Sequence, residues 1–353
     1  MKRRTLLRAL AYASLLAPFG GIRAIAQSTK PSLITAFGHV PPPSDIKRIF
    51  AAGGPASVLL AVLAPHKMLG WPSQMSSKVL DALGSPLRDL PVLGRLSGRG
   101  STIPTETLLA LKPDLILDAG SVDDTYLSTA QRVTEQTGIP YVVIEGRLAD
   151  SARQLLEAGR LLGAEARGNA LADYAEEILS SAARVRKAIP LEKRPRVYYG
   201  RGQEGLETGM VGSLHMEAID IAGGYNVAAQ GGEKIGIARV SLEQIIGWAP
   251  EVILTQDGNF ATRILEDPLW RTIPAVQTKR VYCAPTIPFG WLDVPPSINR
   301  LAGVIWLLAH LHSVGKDDLE RKTAEFNRLF YGIEHASNTI PGLKTGGTQR
   351  RTQ

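Results

Sequence analysis

The chain has 353 residues and a single cysteine, Cys283. No internal disulfide is possible, so an apolar core must hold the fold, and Cys283 reads as a small hydrophobe beside Val281 and Tyr282. No cysteine lies near the N-terminal leader, which excludes a lipoprotein anchor. Catalytic signatures are missing too: there is no HExxH, no P-loop, no GxGxxG after a predicted strand and no nucleophile spaced with a base. The sequence is therefore read as a non-enzyme, with no catalytic residue and no cofactor. The Gly-rich stretch RGQEGLETG, residues 201–209, lacks the Lys-Ser/Thr of a phosphate loop, and its Glu204 and Glu207 read as exposed loop acids. Histidines stand at positions 39, 66, 215, 310, 312 and 335, without the spacing of a metal site. His310 and His312, two apart on one predicted helix, point to different faces, so no metal ligand is assigned.

What is present begins with a leader. Lys2, Arg3, Arg4 and Arg8 precede an apolar run over residues 9–17, and Ala24-Ile25-Ala26 has the small-residue pattern of a cleavage site. This predicts a signal peptide over residues 1–26, cleaved after Ala26, that delivers the chain to the periplasm. The string KRRTLL resembles a twin-arginine export signal. The apolar run is shorter than the ~20 residues of a spanning helix, which favours removal over anchoring. Of the 40 Lys+Arg that give the chain a formal charge of +7, five (Lys2, Arg3, Arg4, Arg8, Arg23) leave with the leader. The remainder is near neutral and mixed in sign, which is no footprint for nucleic acid.

An internal repeat organises the rest. Residues 105–117 read TETLLALKPDLIL and residues 242–254 read LEQIIGWAPEVIL. They align without a gap, pairing Glu106 with Glu243, Pro113 with Pro250 and Asp114 with Glu251. Each predicts a short amphipathic helix stopped before a proline, then a buried parallel strand, so two α/β lobes of similar design are implied. Further strands are expected over residues 46–51, 67–70, 141–144, 196–199 and 280–283. Residues 151–189 carry Leu155, Leu162, Leu171, Tyr174 and Ile178 at helical spacing, and 164–188 contain no proline. This predicts a helical linker between a lobe over 27–150 and a lobe over 190–336, with a stiff helix that restricts hinge motion. The polar residues 337–353 read as a disordered tail.

Four stretches taken in order resemble the class III periplasmic binding proteins, which receive ferric siderophores, haem, cobalamin and related metal complexes. They are IKRIFAAGGPASVLLAVLAPHKMLGW (residues 46–71), PTETLLALKPDLIL (104–117), GSLHMEAIDIAGGYNVA (212–228) and SLEQIIGWAPEVIL (241–254). The resemblance implies two Rossmann-like lobes joined by one long helix, with the ligand between them, in the receptor of an ABC importer. It implies a metal chelate as cargo, a ferric siderophore first, with haem or cobalamin next; another metal species (molybdate or tungstate, a nickel chelate or a bare metal ion) is the alternative, and an enzyme or a non-transport scaffold on the same fold is the alternative of a different class. A permease dimer with its ATPase is the implied partner, and the membrane is met only through that permease. Glu106 and Glu243 look like the acidic residues by which each lobe docks onto it. Loops after the strands offer candidate ligand contacts in Trp71, Arg95, Arg99, Arg147, Tyr198, Tyr199, Arg201, Phe289, Trp291 and Asp293. Arginine forks suit an anionic chelate and aromatics suit an apolar rim.

Overall fold

The computed structural model describes residues 31–98, 100–231 and 236–334. The expected leader, Arg99 and the expected tail lie outside the described residues. Among the described residues no helix is long and apolar enough to cross a membrane.

Two four-stranded sheets carry the fold. The N-terminal sheet uses β1 (Ile34–Phe37), β2 (Ile49–Ala51), β3 (Leu115–Gly120) and β4 (Tyr141–Glu145) in the order β1-β4-β3-β2. β2, β3 and β4 are parallel, and β1 runs antiparallel to β4 with Ile34 opposite Ile144. The second half contributes β5 (Arg196–Tyr199), β6 (Glu207–Gly209), β7 (Tyr225–Asn226), β8 (Ile237–Arg239), β9 (Val252–Thr255) and β10 (Val281–Cys283). Its parallel sheet runs β10-β9-β5-β7, while β6 and β8 form a separate antiparallel pair.

One departure from the sequence reading has a local cause. Residues 67–70 form no strand: Met68 makes only an isolated bridge to Ile49, after a single tight turn over Pro65–Lys67. The Lys67 ammonium is drawn to the carbonyls of Pro43 and Leu162, and Gly70 lies so close to Pro91 that a Cβ would sit 2.5 Å from its carbonyl oxygen. Over 151–189 the helix is broken, giving Ser151–Leu161 and Glu165–Ala188, because Gly163 turns at φ +66°. The second of these covers the long helix expected over 164–188. The short strand β1 had no counterpart in the sequence reading.

Side chains on successive strand residues alternate between two faces. Ile49, Leu115, Leu117, Val142 and Ile144 share one continuous buried cluster with Val197, Tyr199, Val252 and Leu254 of the second sheet. The helices Glu165–Ala188, Arg300–His312 and Leu319–Tyr331 complete that cluster. The opposite faces have separate cores, around Phe50, Ile116 and Tyr141 in the N-terminal lobe and Tyr198, Ile253 and Phe260 in the other. The lobes are joined by common apolar packing as well as by a connecting helix.

Candidate functional site

At the carboxyl ends of β5 and β9 the second lobe gathers a polar cluster around one buried carboxylate. Asp293, only 1% exposed, comes from the Pro-rich loop after β10. Its Oδ1 accepts from the Tyr199 hydroxyl at 2.5 Å and from Gln256 Nε2 at 3.0 Å. Its Oδ2 lies 2.7 Å from Arg201 Nε and 2.8 Å from His215 Nδ1. Gln256 Nε2 also donates to the Tyr199 hydroxyl, and its Oε1 accepts from the Leu292 backbone N–H. Burial pushes the Asp293 carboxyl up, but the His215 hydrogen bond and the Arg201 charge outweigh it and hold the group below the usual carboxylate range. Asp293 is thereby kept ionised, and it orients the groups around it.

Arg201 is the residue with capacity left over. Its side chain is 13% exposed, its guanidinium lies 6.0 Å from the Tyr199 ring centroid, and beyond Asp293 and Tyr199 it meets no side-chain acceptor among the described residues. A guanidinium has five N–H donors, so most of them remain available. His215, 23% exposed, points Nδ1 at Asp293, which places the proton on that nitrogen.

The N-terminal lobe meets this region at the start of the helix Gly54–Leu63. A Cβ on Gly54 would sit 3.1 Å from the Pro295 side chain, and Ser297 Oγ donates to the Pro55 carbonyl at 3.0 Å. This helix has no side-chain cap and Pro55 occupies its first turn, so the backbone N–H groups of Gly54 and Ala56 have no intrahelical partner. Behind it Asp118, buried on β3, accepts from Ser97 Oγ, Tyr141 Oη and the Ala119 backbone N–H. Burial raises the Asp118 carboxyl more than these hydrogen bonds lower it.

The candidate ligand contacts distribute unevenly over this geometry. Tyr199, Arg201 and Asp293 come together in the cluster. Trp71 and Trp291 do not line an open rim. Each is 1% exposed; Trp71 donates Nε1 to the Leu87 carbonyl and packs 6.2 Å from the Phe289 ring, while the Trp291 Nε1 meets no protein acceptor. Large flat aromatics surrounded by apolar loops are pulled into the core by their own area. Tyr198 faces the outer core and donates to the Gly205 carbonyl. Arg147 is exposed and stands 3.7 Å from Glu217. Arg95 is half-buried, with a buried Nε that has no protein partner. His215 and Gln256 were not read as ligand contacts from the sequence. His215 sits in the stretch 212–228, but only Asp293, far along the chain, gives it a role.

Comparison with known proteins agrees with this architecture. The family model described as "Periplasmic binding protein" matches residues 91–288. The chain belongs to this family of solute-binding proteins, and its two α/β lobes are the class III form of the fold. The molybdate-binding protein MolA of Haemophilus influenzae is 28% identical, over 74% of this chain and 78% of its own. An ABC transporter solute binding protein from Sulfurospirillum deleyianum is 30% identical, covering 83% of this chain and 92% of that one, with a TM-score of 0.75. The molybdate-bound structure of MolA superimposes with a TM-score of 0.66 at 23% identity, covering 84% of this chain and 96% of that one. The chain is accordingly a periplasmic binding protein of the ABC-importer type.

Proposed function

We propose that this protein captures a small metal oxyanion, molybdate or tungstate, in the periplasm and hands it to an ABC permease. Arg201 carries the reading: a mostly buried guanidinium with donors unused, fixed by a buried carboxylate. Such a group recognises an anion with little loss of conformational entropy on binding. Gln256 and His215 stand beside it on the same carboxylate. The uncapped helix start at Gly54 brings backbone N–H groups and the positive end of a helix dipole to the same junction. The Pro295–Gly54 and Ser297–Pro55 contacts bring the lobes together beside the cluster, which favours a compact ligand. The likeness to MolA over most of both chains supports the same ligand class.

A ferric siderophore is the second reading, and the unpartnered Arg95 Nε together with the exposed Arg147 favours it, since both suit a larger anionic chelate. Export by the leader through the twin-arginine route, with cleavage after Ala26, belongs to the same proposal, as does docking through Glu106 and Glu243.

Calorimetry on the purified mature chain with molybdate, tungstate, sulfate, a ferric siderophore panel, haem and cobalamin tests the ligand. Molybdate and tungstate are expected to bind with Kd at or below about 1 μM, some 8 kcal/mol, and Arg201→Ala should weaken them at least about ten-fold. Binding of a ferric siderophore alone would move the assignment to the second reading. Tight binding of molybdate undiminished in the Arg201 variant would place the site elsewhere.

A further inference from the structure

We propose that Arg300 is the positioning residue that fixes the two lobes relative to each other and, through them, presets the binding cluster. The last clause rests on the reading of Arg201, His215 and Asp293 as the ligand site; the first does not. Arg300 opens the helix Arg300–His312, is 1% exposed, and sends its guanidinium in several directions at once. Nη2 donates to the Gly146 carbonyl at 2.6 Å, immediately after β4 of the N-terminal lobe. Nη1 donates to the Leu214 carbonyl at 2.6 Å and to Glu217 Oε2 at 2.9 Å, and Nε to the Ser297 carbonyl at 3.0 Å, all in the other lobe.

Its partners repeat the bridge. Glu217 Oε2 also accepts from the Leu148 backbone N–H at 2.8 Å, and Ser297 Oγ donates across to Pro55. Leu214 adjoins His215, and Ser297 closes the loop that carries Asp293. One side chain therefore holds the two loops that bear His215 and Asp293, and the N-terminal lobe as well.

The chemistry explains why arginine stands here. A planar fork of five donors can serve acceptors in separate directions while staying rigid, whereas a lysine ammonium on a flexible stem can serve only some of them. Opening the lobes would strand the Gly146 carbonyl and leave a buried cation under-partnered, so the open form is disfavoured before any ligand arrives. A purely core-filling role would predict a loss of stability without a change in lobe geometry.

The test uses ligand-free protein in a Cys283→Ser background, with spin labels at Arg132→Cys and Glu266→Cys, exposed positions on helices of the two lobes. Pulsed dipolar spectroscopy should give one narrow distance distribution for the otherwise native chain. Arg300→Lys and, separately, Glu217→Ala should broaden it toward longer distances, while Glu217→Gln, which keeps an acceptor, should stay close to native. Titration with sodium molybdate should then show about a ten-fold weaker Kd in Arg300→Lys. Native distance distributions in both Arg300→Lys and Glu217→Ala, with only a lowered Tm, would overturn the proposal. Failure of molybdate to bind the native chain would count against the ligand assignment alone, because the distance measurement needs no ligand.

Discussion

Asp220 and Asp293 are both largely buried carboxyls, yet they respond to the fold in opposite directions. Burial raises the Asp220 group to about 6, above its ordinary 3.8, and the nearby Arg186 offsets this only in part. A raised folded value means that the stabilising contribution is complete below about pH 4 and is lost as pH rises through 6. Asp220→Asn removes the cost of ionising the group, so the variant should be more stable than the parent by about 3 kcal/mol at pH 8. The gap should close by about pH 4, as urea unfolding at both values would read. Asp293 is held low, so its contribution is present at neutral pH and is lost as pH falls below the unfolded value of 3.8 through the lower folded one. Asp293→Asn should therefore destabilise at pH 7, by about 3 kcal/mol, because Arg201 loses its counter-charge, and the difference should shrink as pH falls below 3.8. Arg201 and Tyr199 could be read from the sequence because they follow a strand whose apolar run is plain. His215, Gln256 and Arg300 could not, since each acquires its partner only across long stretches of chain.

At the scale of elements, helix packing is set by glycines as much as by leucines. The helices Ser151–Leu161 and Glu165–Ala188 cross where Gly159 and Gly168 face one another, and a Cβ on Gly168 would stand 2.7 Å from the Leu155 carbonyl oxygen. That oxygen belongs to backbone and cannot swing aside. Gly168→Ala is expected to destabilise by about 2 kcal/mol despite the better helix propensity of alanine. Gly247 supplies the control: it lies within the helix Leu242–Trp248, and a Cβ there meets nothing within 4 Å. Gly247→Ala should stabilise by about 0.5–1 kcal/mol, and thermal unfolding of the pair would separate propensity from packing. The proline-bounded helix and strand units could be read in advance because their period changes sharply at the proline. The strand β1 could not, because it has too few residues to set a period.

Across the whole molecule the repeat extends beyond its sequence match to the bonds that hold it. Asp114 accepts from the backbone of Arg48, as Glu251 does from that of Arg196, and Arg48 and Arg196 each donate to the carbonyl that closes the preceding helix turn, at Leu111 and Trp248. Lys112 and Ala249 take the same left-handed turn, with φ of 48° and 44°. Leu108 and Ile245 are buried, whereas Leu109 and Ile246 remain exposed beside the exposed Glu106 and Glu243. Two lobes thus present the same acidic and apolar pair on short helices, and the shared core behind them resists any change in their separation. Under the docking proposed for this pair, a two-fold permease would offer matching sites only if the spacing is held. Glu106→Ala and Glu243→Ala should each lower uptake in whole cells about ten-fold, some 1.4 kcal/mol of docking energy, with the double variant lower still. Ligand affinity by calorimetry should stay within about two-fold of the parent, because the proposed docking glutamates lie apart from the proposed binding cluster. Scattering profiles of the free and loaded chain should nearly coincide in all variants. Loss of ligand affinity in either single variant, with the fold intact, would move that glutamate from the docking surface to the binding machinery.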